Sequence, residues 1–403
     1  MVKQPKYRWA VISAYAAAMA VTHMLWLNLA PLSSMVQLKY GVSDLAISSL
    51  LLAFPLSYIL LAMHSGALVD RRGYRQSILL GLMLTAIFAT VRAFELSFPV
   101  LLVAQIGIAV GQPYIVTAVS KLVADCFPED ERALASGIAV GGVFIGMALG
   151  LGVTPILVEW HGFHVAMAMF AGVSILVAII VPVVIRGGTT ASANASVTKS
   201  APALHPLALL KNHAVAKMAA AWFLAFGSFN GLTTWLEPIL QQGGITSKEA
   251  GLGGAAIIVG GIAGSFLLTA LADHLRLRRF MMILSCVSAV ALLLPLCSST
   301  SLSTLTILGG LFGFMFLPGY PLVLAVSEKV AGEPAAGAAV SLLMLAGNAG
   351  AVVAIACMPL VNSHVNDWAN SIYLLLLFLA VTVVILLRMP KNAFDLSSSA
   401  AHI

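Results

Sequence analysis

The sequence predicts an all-α polytopic membrane protein, with twelve transmembrane helices in two pseudo-symmetric six-helix bundles. Three observations carry this. Apolar residues make up 60% of the chain and charged residues 9%, against about 25% charge in a soluble domain; mean hydropathy is +1.01. A soluble protein of this composition would lack a polar surface, so lipid must be its solvent. Apolar runs near the roughly 20 residues needed for one crossing recur along the chain, broken by charge, Pro or Gly. A small, polar stretch near the middle divides them into two sets of six. The 403 residues leave room for about twelve crossings and none for a separate catalytic domain.

The first six runs lie at 8–36, 44–69, 76–95, 98–124, 133–158 and 163–186, the N-terminal bundle being 1–186. The second six lie at 214–241, 247–272, 280–297, 301–328, 335–360 and 367–388, the C-terminal bundle being 212–403. Between them, 187–211 reads as a flexible cytoplasmic linker containing Gly187-Gly188-Thr189-Thr190 and the Asn194-Ala195-Ser196 sequon, which the glycosylation machinery would not meet there. With these runs, all but Lys39, Arg92 and Lys248 of the 21 Lys and Arg fall on one side. That side is the cytoplasm by the positive-inside rule, and both termini belong to it. The basic residues are spread over many loops, which argues against nucleic acid as a partner.

The first run follows Lys3, Lys6 and Arg8. It is too long, and too polar at His23 and Asn28, for a cleaved signal peptide, so it is retained. Asn28 falls near mid-membrane with Trp26 beside it. Between the second and third runs comes Gly66-Ala67-Leu68-Val69-Asp70-Arg71-Arg72-Gly73-Tyr74-Arg75. Here Gly66 would let a neighbouring helix approach closely. Asp70 can face a helix N-terminus or an arginine, Gly73 makes the turn, and Arg71, Arg72 and Arg75 hold the segment in the cytoplasm. The alternative is a plain basic loop that fixes topology.

The fourth run carries Gln112 and Tyr114 around Pro113. Asp125 through Arg132 joins it to the fifth, where Glu131 and Arg132 can pair with the Asp70 cluster to close an inner gate; a solvated turn at Pro128 is the alternative. The fifth and eighth runs carry glycines at four-residue spacing, including Gly142, Gly146 and Gly150, and Gly260 and Gly264. Such stripes permit close packing and rocking of helices. The seventh run carries Asn230, Trp235 and Glu237, the tenth Tyr320 between Pro318 and Pro321, and the eleventh Asn348. Polar groups at membrane depth are functional candidates by default, although an inter-helix hydrogen bond serves each of them as well. Glu237 lies toward the outer end of its helix. It either pairs with Arg92 or Lys39 or attracts a cation electrostatically, without carrying a proton. Asp273, followed by Arg276, Arg278 and Arg279, repeats Asp70 at the corresponding point of the second half without the glycine turn, and Ala118-Val119-Ser120-Lys121 is mirrored by Ala325-Val326-Ser327-Glu328.

Cys126, Cys286, Cys297 and Cys357 have no CxxC spacing and read as packing residues. No His/Cys cluster has metal-ligand spacing, and no H-E-x-x-H, G-x-S-x-G or P-loop pattern occurs. No cofactor and no enzymatic activity are expected.

The 66–75 segment resembles the G-x-L-x-D-R-x-G-x-R signature of the major facilitator superfamily at every signature position. That resemblance covers the whole chain and implies a secondary transporter working by alternating access. In that superfamily the first, fourth, seventh and eleventh helices line the cavity, and these are the helices carrying Asn28, Gln112, Asn230 and Asn348. The Gly-Pro dipeptide of drug antiporters is absent from the fifth run. Leu25-Trp26-Leu27-Asn28-Leu29-Ala30-Pro31, Gly111-Gln112-Pro113-Tyr114 through Arg132, and Glu249-Ala250-Gly251-Leu252-Gly253 resemble the haem/choline transporter family typified by the feline leukaemia virus subgroup C receptors. That family holds a quaternary ammonium with a Trp on the first helix, a Tyr on the seventh and Gln on the fourth and eleventh. Trp26 and Gln112 match, whereas Phe229-Asn230 and Asn348 depart from the pattern. Thr233-Thr234-Trp235-Leu236 is also similar to cyanate- and nitroimidazole-type permeases.

The expectation is a monomeric transporter in the plasma (inner) membrane for a small organic solute, amphiphilic or cationic, choline-like or haem/siderophore-like. The alternatives are a proton-coupled drug or metabolite antiporter, which would add a coupling proton, and, remotely, a membrane receptor or enzyme of the same fold.

Overall fold

A computed structural model of the chain describes residues 7–185, 206–332, 335–362, 368–390 and 393–394. Most of the expected linker, 187–205, lies outside the described residues. The described residues are helical, without strands, and the chain divides into two compact units, Met1–Lys199 and Ser200–Ile403.

The first unit holds α1 (Arg8–Leu27), α2 (Ser33–Tyr40), α3 (Asp44–Arg72), α4 (Tyr74–Ala93), α5 (Phe98–Val116), α6 (Val119–Cys126) and α7 (Arg132–Ile185). The second holds α8 (His213–Gln241), α9 (Ser247–His274), α10 (Arg278–Cys297), α11 (Leu302–Phe316), α12 (Gly319–Ala331), α13 (Ala336–Leu360) and α14 (Ala369–Leu387). Among the described residues, ten helical segments are long and apolar enough to cross a membrane. One of these, Glu129–Ile185, has 57 residues, roughly 85 Å of helix, far too long for one crossing. It breaks at Gly162, whose φ of 81° and ψ of 164° are not helical, between the predicted fifth and sixth runs. Large apolar side chains such as Leu60, Phe266 and Ile307 are exposed, as a lipid-facing surface requires and a water-facing one of this extent does not tolerate.

Helix starts follow local chemistry. Ser43 accepts from Ala46 N at the start of α3, and Asn212 from Ala214 N at the start of α8. Thr246 and Glu249 form a reciprocal capping box on α9. Three predicted runs are discontinuous. The first passes through a 3-10 turn at Ala30–Leu32, where Pro31 lacks an N–H. The fourth breaks between Val116 and Val119, and the tenth between Phe316 and Gly319 beside Pro318.

The glycine stripe of α7 buries its face on α1. A Cβ at Gly142, Gly146 or Gly150 would collide with the backbone carbonyls of Ala16, Ala20 or Met24, respectively. Only glycine permits this approach, in which dispersion between backbones replaces the hydrophobic drive that lipid cannot provide. In the second unit, Gly260 and Gly264 of α9 abut the Gly310 and Phe314 backbone of α11 in the same way. Gly66 is different: a Cβ there would meet nothing within 4 Å, so the expected close approach at that position does not occur.

Candidate functional site

In the first unit, Trp26 is buried one residue before the end of α1. Its ring stacks on Phe54 of α3 with centroids 5.9 Å apart, and His23 lies tilted to it at 6.0 Å. Gln112 on α5 is buried, and its Nε2 has no hydrogen-bond partner among the described residues. Tyr114 bonds through its hydroxyl to Nδ1 of His64 at 2.8 Å. The break after α5 is stitched by its neighbours. Ser77 Oγ donates to the carbonyl of Tyr114 and Tyr15 OH to that of Ile115, both at 2.7 Å. Carbonyls released by a broken helix must find donors inside a membrane protein, and these two do.

Asn28 is engaged rather than open. Its Oδ1 accepts from Arg92 Nη1 at 3.2 Å, and the same nitrogen donates to Gln105 Oε1 at 2.8 Å. Arg92, which the charge distribution placed on the outer side, is buried in the last turn of α4, 1% exposed. An arginine at the end of an apolar run usually snorkels to water. Here two amide oxygens on neighbouring helices draw it inward instead. Gln105 was missed in the sequence, although a glutamine inside the fourth run was a visible signal of the kind that picked out Gln112.

In the second unit, Trp222 stacks with Phe226 at 5.0 Å and with Tyr320 at 5.3 Å, at interplanar angles of 29° and 24°. Trp222 and Phe226 were not singled out in the sequence; tryptophan and phenylalanine one helical turn apart were the only sign. Asn230 and Asn348 each spend an amide N–H on the carbonyl four residues earlier in their own helix, Phe226 and Met344 respectively. Trp235 is fully buried, its indole N–H donating to Ile355 O and its ring 4.9 Å from Trp368. That is a packing environment between helices. Glu237 is 2% exposed and accepts from Ser247 Oγ at 2.8 Å. Ser247 opens α9, so the positive end of that helix complements the carboxylate. Of the two basic residues named as possible partners of Glu237, Arg92 donates to Asn28 and Gln105, and Lys39 pairs with Glu95, within the first unit.

The helix-connecting segments form a second group. Gly73 turns the chain from α3 to α4 at φ 84°, ψ 159°, a conformation essentially restricted to glycine. Asp70, Arg71 and Arg72 are exposed, and Arg75 is half-buried. Lys121 Nζ donates to the carbonyls of Val69 at 3.0 Å and Asp70 at 3.4 Å, tying the turn to α6. Glu131 does not reach the Asp70 cluster; it pairs with Arg8 at 2.7 Å. Arg132 instead donates to the carbonyls of Phe127 and Ala124. Asp125 is exposed. In the second unit, Asp273 pairs with Arg278 at 2.6 Å. Among the described residues no group of His, Cys, Asp or Glu could hold a metal.

The model of the Major Facilitator Superfamily matches residues 15–244 and 236–401. The chain belongs to that superfamily. Solute carrier family 49 member A3 from Danio rerio is 28% identical over 70% of this chain and 63% of its own length. The choline/ethanolamine transporter FLVCR2 from Rattus norvegicus is 26% identical over 66% of this chain and 53% of its own. FLVCR1 from Felis catus, also named a choline/ethanolamine transporter, is 24% identical over 98% and 75%. The chain thus spans little more than half to two thirds of the zebrafish and rat relatives. A bacterial homologue of the human lysosomal transporter Spinster shares the fold, with a TM-score of 0.69, 17% identity and 96% of both chains covered. The chain is an integral membrane protein of a transporter superfamily, similar to the feline leukaemia virus receptor-related branch.

Proposed function

We propose that this protein is a secondary transporter that carries a small organic cation by alternating access. It crosses the plasma (inner) membrane twelve times as a monomer, with both termini in the cytoplasm. The observation that carries the substrate class is the buried Trp26–Phe54 stack. A quaternary ammonium needs no hydrogen bond from such a surface, because the negative ring faces attract it directly, by about 2 kcal/mol when desolvated. Gln112, with a buried amide nitrogen to spare, would orient a polar substituent such as a hydroxyl. Relatives named for choline and ethanolamine support the same class. Asn230, Asn348, Tyr320, Trp235 and Glu237 are proposed to shape the second half, with Glu237 acting electrostatically. The 66–75 segment, with Asp125, Glu131, Arg132 and Asp273, is proposed as the gate.

The test is uptake and binding of radiolabelled choline and ethanolamine by purified protein in liposomes, using Trp26→Ala and Trp26→Phe. Loss of about 2 kcal/mol exceeds a factor of ten in affinity. Trp26→Ala is therefore expected to weaken binding at least about tenfold and Trp26→Phe clearly less. Equal losses would remove the stacked-cation reading.

A further inference from the structure

Arg92 carries a charge with no ion pair to a carboxylate among the described residues. The guanidinium is 1% exposed and the two amides that meet it, Asn28 and Gln105, are 0% exposed. Arginine has five N–H donors and no acceptor, so both amides must turn their oxygens toward it and their nitrogens away. Nη1 is satisfied by those oxygens. Nε and Nη2 of Arg92, Nδ2 of Asn28 and Nε2 of Gln105 are buried with no partner among the described residues. All four are donors.

Two further features frame the place. Asn28 caps the C-terminal end of α1, whose partial negative charge helps to hold a cation. Its backbone nitrogen lies 3.3 Å from where a Cβ of Gly150 would be. Thr154, one turn further on the same α7 stripe, has a buried hydroxyl that also lacks a partner among the described residues. Arg92 of α4, Asn28 at the end of α1 and Gln105 of α5 therefore bring buried donors together, and Thr154 adds a buried hydroxyl one turn along α7 from the Gly150–Asn28 contact. The nearest acid in sequence, Glu95, pairs with Lys39 through Oε2; its Oε1 is buried without a hydrogen-bond partner among the described residues, with His164 Nδ1 at 4.0 Å. A buried arginine without a counter-charge is costly, and membrane interiors pair such groups.

We propose that Arg92, Asn28 and Gln105, with the Thr154 hydroxyl, form a buried site for a small monovalent inorganic anion of halide size. The donors supply what an anion needs and a cation cannot use. The burial of all three core residues limits the occupant to something small. Asn28, the αR C-cap, and Trp26 project about 160° apart around the α1 axis at about 100° per residue, so this site is separate from the aromatic one. A bound anion would neutralise the arginine and lower the repulsion of a cationic solute by the first unit.

The experiment uses the full chain in detergent, with gluconate exchanged for chloride at fixed ionic strength. Chloride is expected to raise the melting temperature of the wild type by about 2–4 °C, as a site filled to roughly ten times its Kd would. Arg92→Gln should abolish the shift, and Gln105→Leu, which keeps the charge, should require several-fold more chloride. Radiolabelled chloride binding to the wild type, saturable at one ion per chain and displaced by bromide, is expected whether or not the variants fold. Melting that is indifferent to the anion, or no saturable chloride binding, would overturn the proposal and leave Glu95 swinging onto Arg92 as the source of counter-charge. Stabilisation by acetate but not by halide would also overturn it, in favour of an organic carboxylate.

Discussion

The segment that joins α3 to α4 and the one that joins α9 to α10 occupy corresponding places in the two units, yet they are built on opposite principles. In the first, the turn residue is Gly73, at a φ, ψ pair open only to glycine, and the acid three residues before it, Asp70, is exposed with no ion pair among the described residues. In the second, the residue three after Asp273 is Arg276, a non-glycine at φ 56°, and Asp273 is closed onto Arg278 at 2.6 Å. The first segment is also fastened through its backbone, by Lys121 on the carbonyls of Val69 and Asp70. At the mirrored position the second unit has Glu328, which cannot donate. A turn fixed by its backbone leaves its acid free to take a new partner in another conformation. A turn fixed by its own ion pair does not.

The largest expected effect falls on the glycine. A Cβ at Gly73 would touch nothing within 4 Å, so any penalty is one of backbone conformation alone. Gly73→Ala and Gly73→Val should therefore cost similar amounts, about 1–3 kcal/mol, seen as a lower midpoint in thermal melts of the detergent-solubilised protein. Arg276→Gly should change stability by less than about 1 kcal/mol, because relief at φ 56° is offset by the freer unfolded chain. A Val variant much worse than Ala would point to side-chain crowding instead of a backbone-fixed turn.

Next comes the free acid. Asp70→Asn removes a charge that has no ion partner among the described residues, so the melting temperature should hardly move. Transport should nevertheless fall by about tenfold or more, equivalent to about 1.4 kcal/mol taken from one gate state. Wild-type transport by the Asn variant, measured as counterflow in liposomes, would mean that the acid biases no conformation and that the loop serves topology alone.

How far the sequence disclosed these features depends on where each one's cause lies. Gly73 was legible because the need for a left-handed turn is local and only one residue type satisfies it. The α7 stripe was legible because Gly142, Gly146 and Gly150 recur at helical spacing. Gly66 shows the limit: a small residue permits an approach, but whether a helix arrives is decided by the rest of the fold. Arg92 was read as an outer charge because a lone arginine at the end of an apolar run has water within reach. Its inward turn depends on Asn28 and Gln105, which are 64 and 13 residues away. The breaks after Asn28 and Val116 were likewise hidden. Pro113 announced a bend, but the carbonyls released at the break that follows it, those of Tyr114 and Ile115, are bonded by side chains from elsewhere, Ser77 and Tyr15. For the polar candidates, position in the membrane was readable and employment was not. Asn230 and Asn348 turn back to their own helices, whereas Gln112 keeps a free amide nitrogen.

The smallest expected effect tests the closed loop. The Asp273 side chain is 47% exposed and that of Arg278 14% exposed, so water and salt screen their attraction, and a pair of this kind is worth about 0–1 kcal/mol. Asn at 273 keeps an oxygen that can accept from Arg278 Nε and loses only the charge. Asp273→Asn should therefore shift the melting temperature by no more than about 2–4 °C. That shift should shrink further as salt is raised, because exposed charges are screened beyond about 8–10 Å. Transport should stay within about twofold of wild type, a change of under ~0.5 kcal/mol. A loss as deep as that of Asp70→Asn, with an unchanged melting temperature, would show that Asp273 leaves Arg278 during the cycle and does the same work as Asp70. The two loops would then be matched gates, and their different construction would reflect two ways of making one turn.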